Sequence, residues 1–191
     1  MVISDGKTRI AQYGQWDGYP SGQGKTILEF LRTMDKGKFM EKLDKCRFLN
    51  GNKRKAKEMD KFMQEIGCVN GWMDNEQSQK YHEKYPFLSR DHGGEVLQLI
   101  QDTELDEILL NDESEFVKDS LFCEWAYVVD FDTNTFEVYE GFNKTPLDKS
   151  ERFYSDENNQ GYYPVKLVKS FDLNNLPVYT DFIREVSPEE D

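Results

Sequence analysis

Apolar residues recur at helical spacing through the first hundred positions. Ile27, Phe30, Leu31 and Met34 stand at i, i+3, i+4 and i+7, the stripe of an amphipathic helix starting near Thr26, and Met59, Phe62, Met63 and Ile66 repeat it. Between these stripes Phe39, Leu43 and Cys46 predict another helix, stopped near Asn50-Gly51, where two residues tolerant of left-handed backbone adjoin. The polar stretch from Asp74 to Tyr85 reads as a helix closed by Pro86, and Val96, Leu97 and Ile100 as one more after Gly93-Gly94.

Outside that region the period shortens to two. Residues 7–16, with Ile10, Tyr13 and Trp16, read as one short strand ended by the turn formers of Asp17–Gly22. Further on, the apolar run Phe122–Phe131, the turn Asp132-Thr133-Asn134 and the alternating Phe136-Glu137-Val138-Tyr139-Glu140 predict a β-hairpin. Pro164–Phe171 and Ile108–Leu110 are further strand candidates. The pattern predicts one α+β domain over residues 1–186: an N-terminal strand, a helical middle over about 22–101, and a C-terminal antiparallel β-meander that the first strand joins. Pro188 followed by Glu189-Glu190-Asp191 puts an acidic, disordered tail at 187–191.

Composition adds a core and a charge. Thirteen Phe, ten Tyr and three Trp in 191 residues supply ample core material. The net charge of −13 is lopsided: residues 1–100 hold 17 Lys/Arg against 14 Asp/Glu, and residues 101–191 hold 7 against 23. Such a field repels a polyanion, which disfavours direct nucleic-acid binding, and suits a protein partner with a basic surface; the plainer account is that excess carboxylates keep the chain soluble. Cys46, Cys68 and Cys123 are odd in number and widely spaced, so they are expected to be reduced thiols. No run of about 18 apolar residues and no signal-peptide pattern occurs, so the expected location is the cytoplasm, a host's cytoplasm if the gene is viral, without membrane contact.

No motif resolves into known reactive chemistry. Gly22-Gln23-Gly24-Lys25-Thr26 imitates a phosphate-binding loop, but a P-loop needs Gly at the position of Tyr19, and Gly18 is one residue early. A Gly-rich turn opening a helix is the simpler account. Asp130-Phe131-Asp132-Thr133-Asn134 opens like a calcium loop and then fails, with Thr135 where Gly is required and Gly141 where Glu must close the sphere. A hairpin turn in which Asp132 and Asn134 bond their own backbone explains it better. The two histidines exclude a multi-histidine centre; of them His92, in Arg90-Asp91-His92-Gly93-Gly94, is a candidate ligand contact, although Asp-His at a helix start more often serves as a cap. No metal site, cofactor or catalytic residue is assigned.

The block Arg9-Ile10-Ala11-Gln12-Tyr13-Gly14-Gln15-Trp16-Asp17-Gly18-Tyr19-Pro20-Ser21-Gly22-Gln23-Gly24 resembles the opening signature of an uncharacterised phage- and prophage-type family, and Cys123–Asp130 with Phe136–Tyr139 is similar to that family's closing hairpin. The resemblance implies a small acidic protein that binds and inhibits host machinery, and transfers no catalytic residue. The block itself is dense in recognition groups. Arg9, Gln12, Gln15, Asp17, Gln23 and Lys25 offer donors and acceptors, Trp16 and Tyr19 offer faces for stacking, and Arg90, Asp91 and His92 are candidates to join them. A structural turn that satisfies buried backbone groups accounts for the block equally well.

Two function classes follow. The first is a non-catalytic cytosolic binding protein, an acidic inhibitor of a host defence protein. The second is a small enzyme or a module binding a nucleotide or other phosphate ligand through the Gly-rich loop 17–26. A cleft in which the two segments meet around a substrate-sized void would favour the second.

Overall fold

Asp5 and Gly6, both at positive φ (54° and 66°), turn the chain sharply between β1 (Val2–Ser4) and β2 (Lys7–Ile10) in the computed structural model, which describes residues 1–187. Helices α1 (Lys25–Thr33), α2 (Lys36–Leu43), α3 (Lys53–Glu65), α4 (Asn75–Lys84) and α5 (Val96–Asp102) follow, with β3 (Cys46–Phe48) between α2 and α3. Side chains start three of them: Asp35 and Asn52 accept from the third amide of α2 and α3, and Asp74 with Gln77 forms a reciprocal box on α4. After α5 come β4 (Ile108–Leu110), β5 (Trp125–Asp130), β6 (Thr135–Glu140), β7 (Lys166–Asp172) and α6 (Tyr179–Val186).

The fold is α+β, and its five-stranded sheet has the order β2-β1-β5-β6-β7. Three points differ from the sequence reading. The N-terminal segment gives a hairpin rather than one strand across 7–16, and β2 stops at Ile10, beyond which the chain follows side-chain contacts to a distant loop. The sheet is mixed rather than an antiparallel meander, because β1 enters parallel to β5, with Val2 opposite Val129. Cys46 opens a strand instead of ending a helix: α2 stops at Leu43, and Cys46–Phe48 pairs in parallel with the buried Ile108–Leu110. Of the tail expected at 187–191, residues 188–191 lie outside the described residues.

The sheet buries both faces. On one, Phe136 stacks with Tyr127 and Phe182, 6.3 and 5.9 Å between ring centres, under α1, α5 and α6. On the other, Val117, Cys123, Ala126, Val128, Tyr139 and Val165 pack beneath the connections flanking β5 and β6. Charge is buried on this second face as well. Arg152, in the long β6–β7 connection, donates from Nε to Glu137 at 2.7 Å and from Nη2 to Asp130 at 2.7 Å, and the Tyr139 hydroxyl donates to Glu137 at 2.6 Å. Burial works to raise the Asp130 carboxyl, but the amides of Thr133 and Asp132 and the Arg152 guanidinium outweigh it and hold it below the usual carboxylate range.

Removing Arg152 leaves two buried carboxylates uncompensated, so Arg152→Ala is expected to cost about 3–5 kcal/mol in urea denaturation. Because the folded pKa of Asp130 is depressed, its contribution is present above about pH 4 and is lost as pH falls through the folded value. Unfolding midpoints measured between pH 6 and 3 should fall less steeply in Asp130→Asn than in the wild type.

Candidate functional site

Beyond Ile10 the chain leaves the sheet and folds back over the start of α1, and residues 89–94 meet it there. Gln12 Nε2 donates to the carbonyls of Ser89 (2.9 Å) and Tyr13 (3.0 Å), and the Gln15 amide donates to the Arg90 carbonyl (3.3 Å). Gln23 bridges the two segments through one side chain, with Nε2 donating to the Trp16 carbonyl at 3.0 Å and Oε1 accepting from the Gly94 amide at 2.5 Å. The approach is close enough to demand glycine. A Cβ on Gly94 would lie 2.8 Å from Ile27, and Gly93, at φ 48°, would drive one into the Gln23 amide at 2.4 Å.

The sheet ties down the loop from below. The Tyr127 hydroxyl donates to the Gly18 carbonyl at 2.8 Å, and a Cβ on Gly24 would touch the Tyr127 ring at 3.0 Å. Asp17, at φ 53°, presents its carbonyl to the Gln23 amide at 2.9 Å. What remains outside is aromatic: Trp16 is 61% exposed and Tyr19 56%, although the backbone carrying them is bonded on both sides.

Residues 20–24 form one π-helical turn running into α1, and this geometry answers the phosphate-loop imitation. The Gly22 and Gly24 amides donate to Tyr19, that of Gln23 to Asp17 and that of Lys25 to Pro20, so the donors a phosphate would require are already committed. Lys25 reaches Glu29 at 3.7 Å and lies over the Tyr179 ring, away from any cradle.

The other expected residues divide. Gln12, Gln15, Trp16, Asp17, Tyr19 and Gln23 share this loop, and Arg90 joins them with its guanidinium 4.6 Å from the centre of the Tyr13 ring. Arg9 does not; it pairs with Asp5 (2.9 Å) and Asp44 (3.5 Å) beside the β1–β2 turn. Asp91 is exposed, and His92 donates from Nε2 to the Pro86 carbonyl at 2.7 Å, so the two form no acid–imidazole pair. The calcium-loop imitation is a hairpin turn, with different acceptors from those expected. Asp130 accepts from the amides of Asp132 and Thr133, while Asp132 reaches across to those of Asp5 and Gly6.

A cavity of about 120 Å³ lies under the loop. Gln12, Gly14, Gly18, Gln23, Gly93 and Gly94 border it, joined by Glu113, Phe116, Ala126 and Tyr127, which the sequence reading did not place at this site. These come from segments about a hundred residues downstream, and no local pattern marks them. The volume is well below the roughly 300–1,000 Å³ of sites that enclose drug-sized ligands, and the side chains of Arg90, Asp91 and His92 do not line it. Cys123 does, but burial pushes its thiol up to about 12, which removes it as a nucleophile at neutral pH. Among the described residues no cluster of three or more His, Cys, Asp or Glu could hold a metal ion, and no helix is long and apolar enough to cross a membrane.

No protein-family model, no curated protein and no solved structure matches the chain.

The Gln23 bridge is one of the ties that order the loop. Gln23→Ala strands the Gly94 amide and frees the Trp16 carbonyl, at an expected cost of about 1–3 kcal/mol in chemical denaturation. Amide exchange should quicken at Gly94 and Gln15 before it does in the sheet.

Proposed function

We propose that the protein is a non-catalytic binding module whose loop 12–24 docks a protein partner with a basic surface. The observation that carries this reading is the pairing of large exposed aromatics with a fixed backbone. Trp16 and Tyr19 stand in solvent on a segment held by Gln12, Gln23, Tyr127 and the Arg90 carbonyl. Exposed Trp and Tyr are the side chains that most often anchor interfaces, and a loop ordered in advance loses little entropy on docking. The net charge of −13 supports a basic partner. The resemblance to a phage- and prophage-type family extends the proposal to a host defence protein as the target, inhibited by occupation, in the cytoplasm of the host. The committed amides of the Gly-rich loop give the phosphate-ligand alternative no comparable support.

The test is capture from host lysate with wild-type protein and Trp16→Ala, at low and at moderate salt. The wild type should retain a protein that salt releases, and Trp16→Ala should weaken that complex by about 30-fold or more, as removal of an interface anchor does. Its unfolding midpoint should be unchanged, because the side chain is mostly in solvent. Equal capture by both proteins, or no salt-sensitive complex, would overturn the proposal.

A further inference from the structure

Asn-Gly occurs twice in the chain, at Asn50-Gly51 and at Asn70-Gly71. The pair carries a reaction of its own. The glycine amide nitrogen can attack the side-chain carbonyl carbon of the asparagine, because no Cβ on the following residue hinders the approach. By sequence the two sites are equivalent; the fold separates them.

Asn50 is held in place. Its Oδ1 accepts from the Asp112 amide at 3.0 Å, and its Nδ2 donates to the Asp112 carbonyl at 3.5 Å. The adjoining backbone is bonded as well, with the Leu49 amide donating to the Leu110 carbonyl at 2.8 Å and the Asn52 amide to the Leu49 carbonyl at 2.9 Å. Turning the Asn50 side chain onto Gly51 therefore breaks contacts that join the start of α3 to the segment after β4.

Asn70 has no such tie. With Gly71 it forms the tip of a tight turn between α3 and α4, both residues at positive φ (52° and 79°), and the Trp72 amide closes the turn on the Val69 carbonyl at 3.0 Å. Among the described residues neither the Asn70 side chain nor the Gly71 amide has a hydrogen-bond partner. The flanking side chains already stand in solvent, Val69 68% and Trp72 84% exposed. Opening the turn so that Gly71 can reach the Asn70 side chain thus uncovers little apolar surface and costs mainly the turn's own hydrogen bonds.

We propose that Asn70 is a site of spontaneous deamidation. The Gly71 nitrogen gives up its proton and bonds to Asn70 Cγ, the bond from Cγ to Nδ2 breaks, and Nδ2 leaves with that proton as ammonia. The product is a five-membered succinimide. Water then adds to one of the two ring carbonyls and opens the ring there, giving aspartate or isoaspartate. Either product adds a negative charge to the turn. Isoaspartate also lengthens the main chain inside the turn and dissolves the pairing of Val69 with Trp72. The site is separate from the loop that carries Trp16, so it stands whether or not a partner docks there.

The test is to age the intact protein in mildly alkaline buffer, digest it, and read both sites by mass spectrometry with fragmentation that separates isoaspartate from aspartate. Conversion at Asn70 should run about tenfold or more faster than at Asn50, the factor set by the hydrogen bonds that Asn50 must first give up. In protein unfolded by urea the two sites should react at similar rates, because only the fold tells them apart. Gly71→Ala places a methyl group beside the attacking nitrogen and should slow Asn70 severalfold while leaving Asn50 unchanged. Should that variant disturb the turn, the comparison of folded with unfolded wild type still decides the matter. Conversion at Asn50 as fast as at Asn70, an Asn70 that persists in the folded protein while it converts in urea, or an unfolded chain that keeps the folded preference would overturn the assignment.

Discussion

Two side-chain amides, those of Gln12 and Gln23, tie together the two segments around the site. Gln23 offers a donor and an acceptor at fixed separation, and it spends them on a carbonyl seven residues earlier and an amide 71 residues later. Everything nearby is shaped to permit that contact. Gly93 and Gly94 carry no side chain where the amide lies, and Asp17 takes a left-handed conformation to bring its own carbonyl onto the Gln23 backbone. A glutamine so placed cannot serve as a ligand contact without dismantling the loop, so the polar density of this block is spent mainly on architecture.

The cavity and the exposed aromatics are two consequences of that architecture. Gly93 and Gly94 meet the loop through the Gln23 side chain, and a chamber remains beneath it beside β5. Because the loop's polar groups are satisfied internally, its large aromatics have no inward place, and Trp16 and Tyr19 project. The opposite face of the sheet solves a related problem with charge: Arg152 joins Asp130 and Glu137 and thereby ties the long β6–β7 connection across the strands.

The sequence was readable wherever a period had room to repeat. Ile27, Phe30 and Leu31 mark α1, Met59 and Phe62 mark α3, and the alternation through Phe136 and Val138 marks β6, because each runs long enough to distinguish 3.6 from 2. Three-residue strands do not, so β3 was absorbed into a helix and β1 was missed, although Asp5-Gly6 is itself a hairpin signal. Helix α6 also escaped, although Tyr179, Phe182, Ile183 and Val186 stand at the same i, i+3, i+4 and i+7 spacing that marks α1, with Phe182 and Val186 buried. At the site, the glycines and the aromatic block stood out by composition. Glu113, Phe116 and Tyr127 did not, because what makes them neighbours is the closing of the sheet.

The parallel contact between β1 and β5 also fixes an order of events during synthesis. Asp5 finds its acceptor on Asp132, 127 residues further along the chain. At about 5–20 residues per second a ribosome needs on the order of ten seconds to make that length. For that interval the N-terminal hairpin is a two-stranded ribbon without its sheet neighbour, of marginal stability alone. The helical segments, whose contacts are local, can form meanwhile. The N-terminal hairpin is therefore locked into the sheet only after the helical middle has been made, and until β5 emerges one of its strand edges is unpaired.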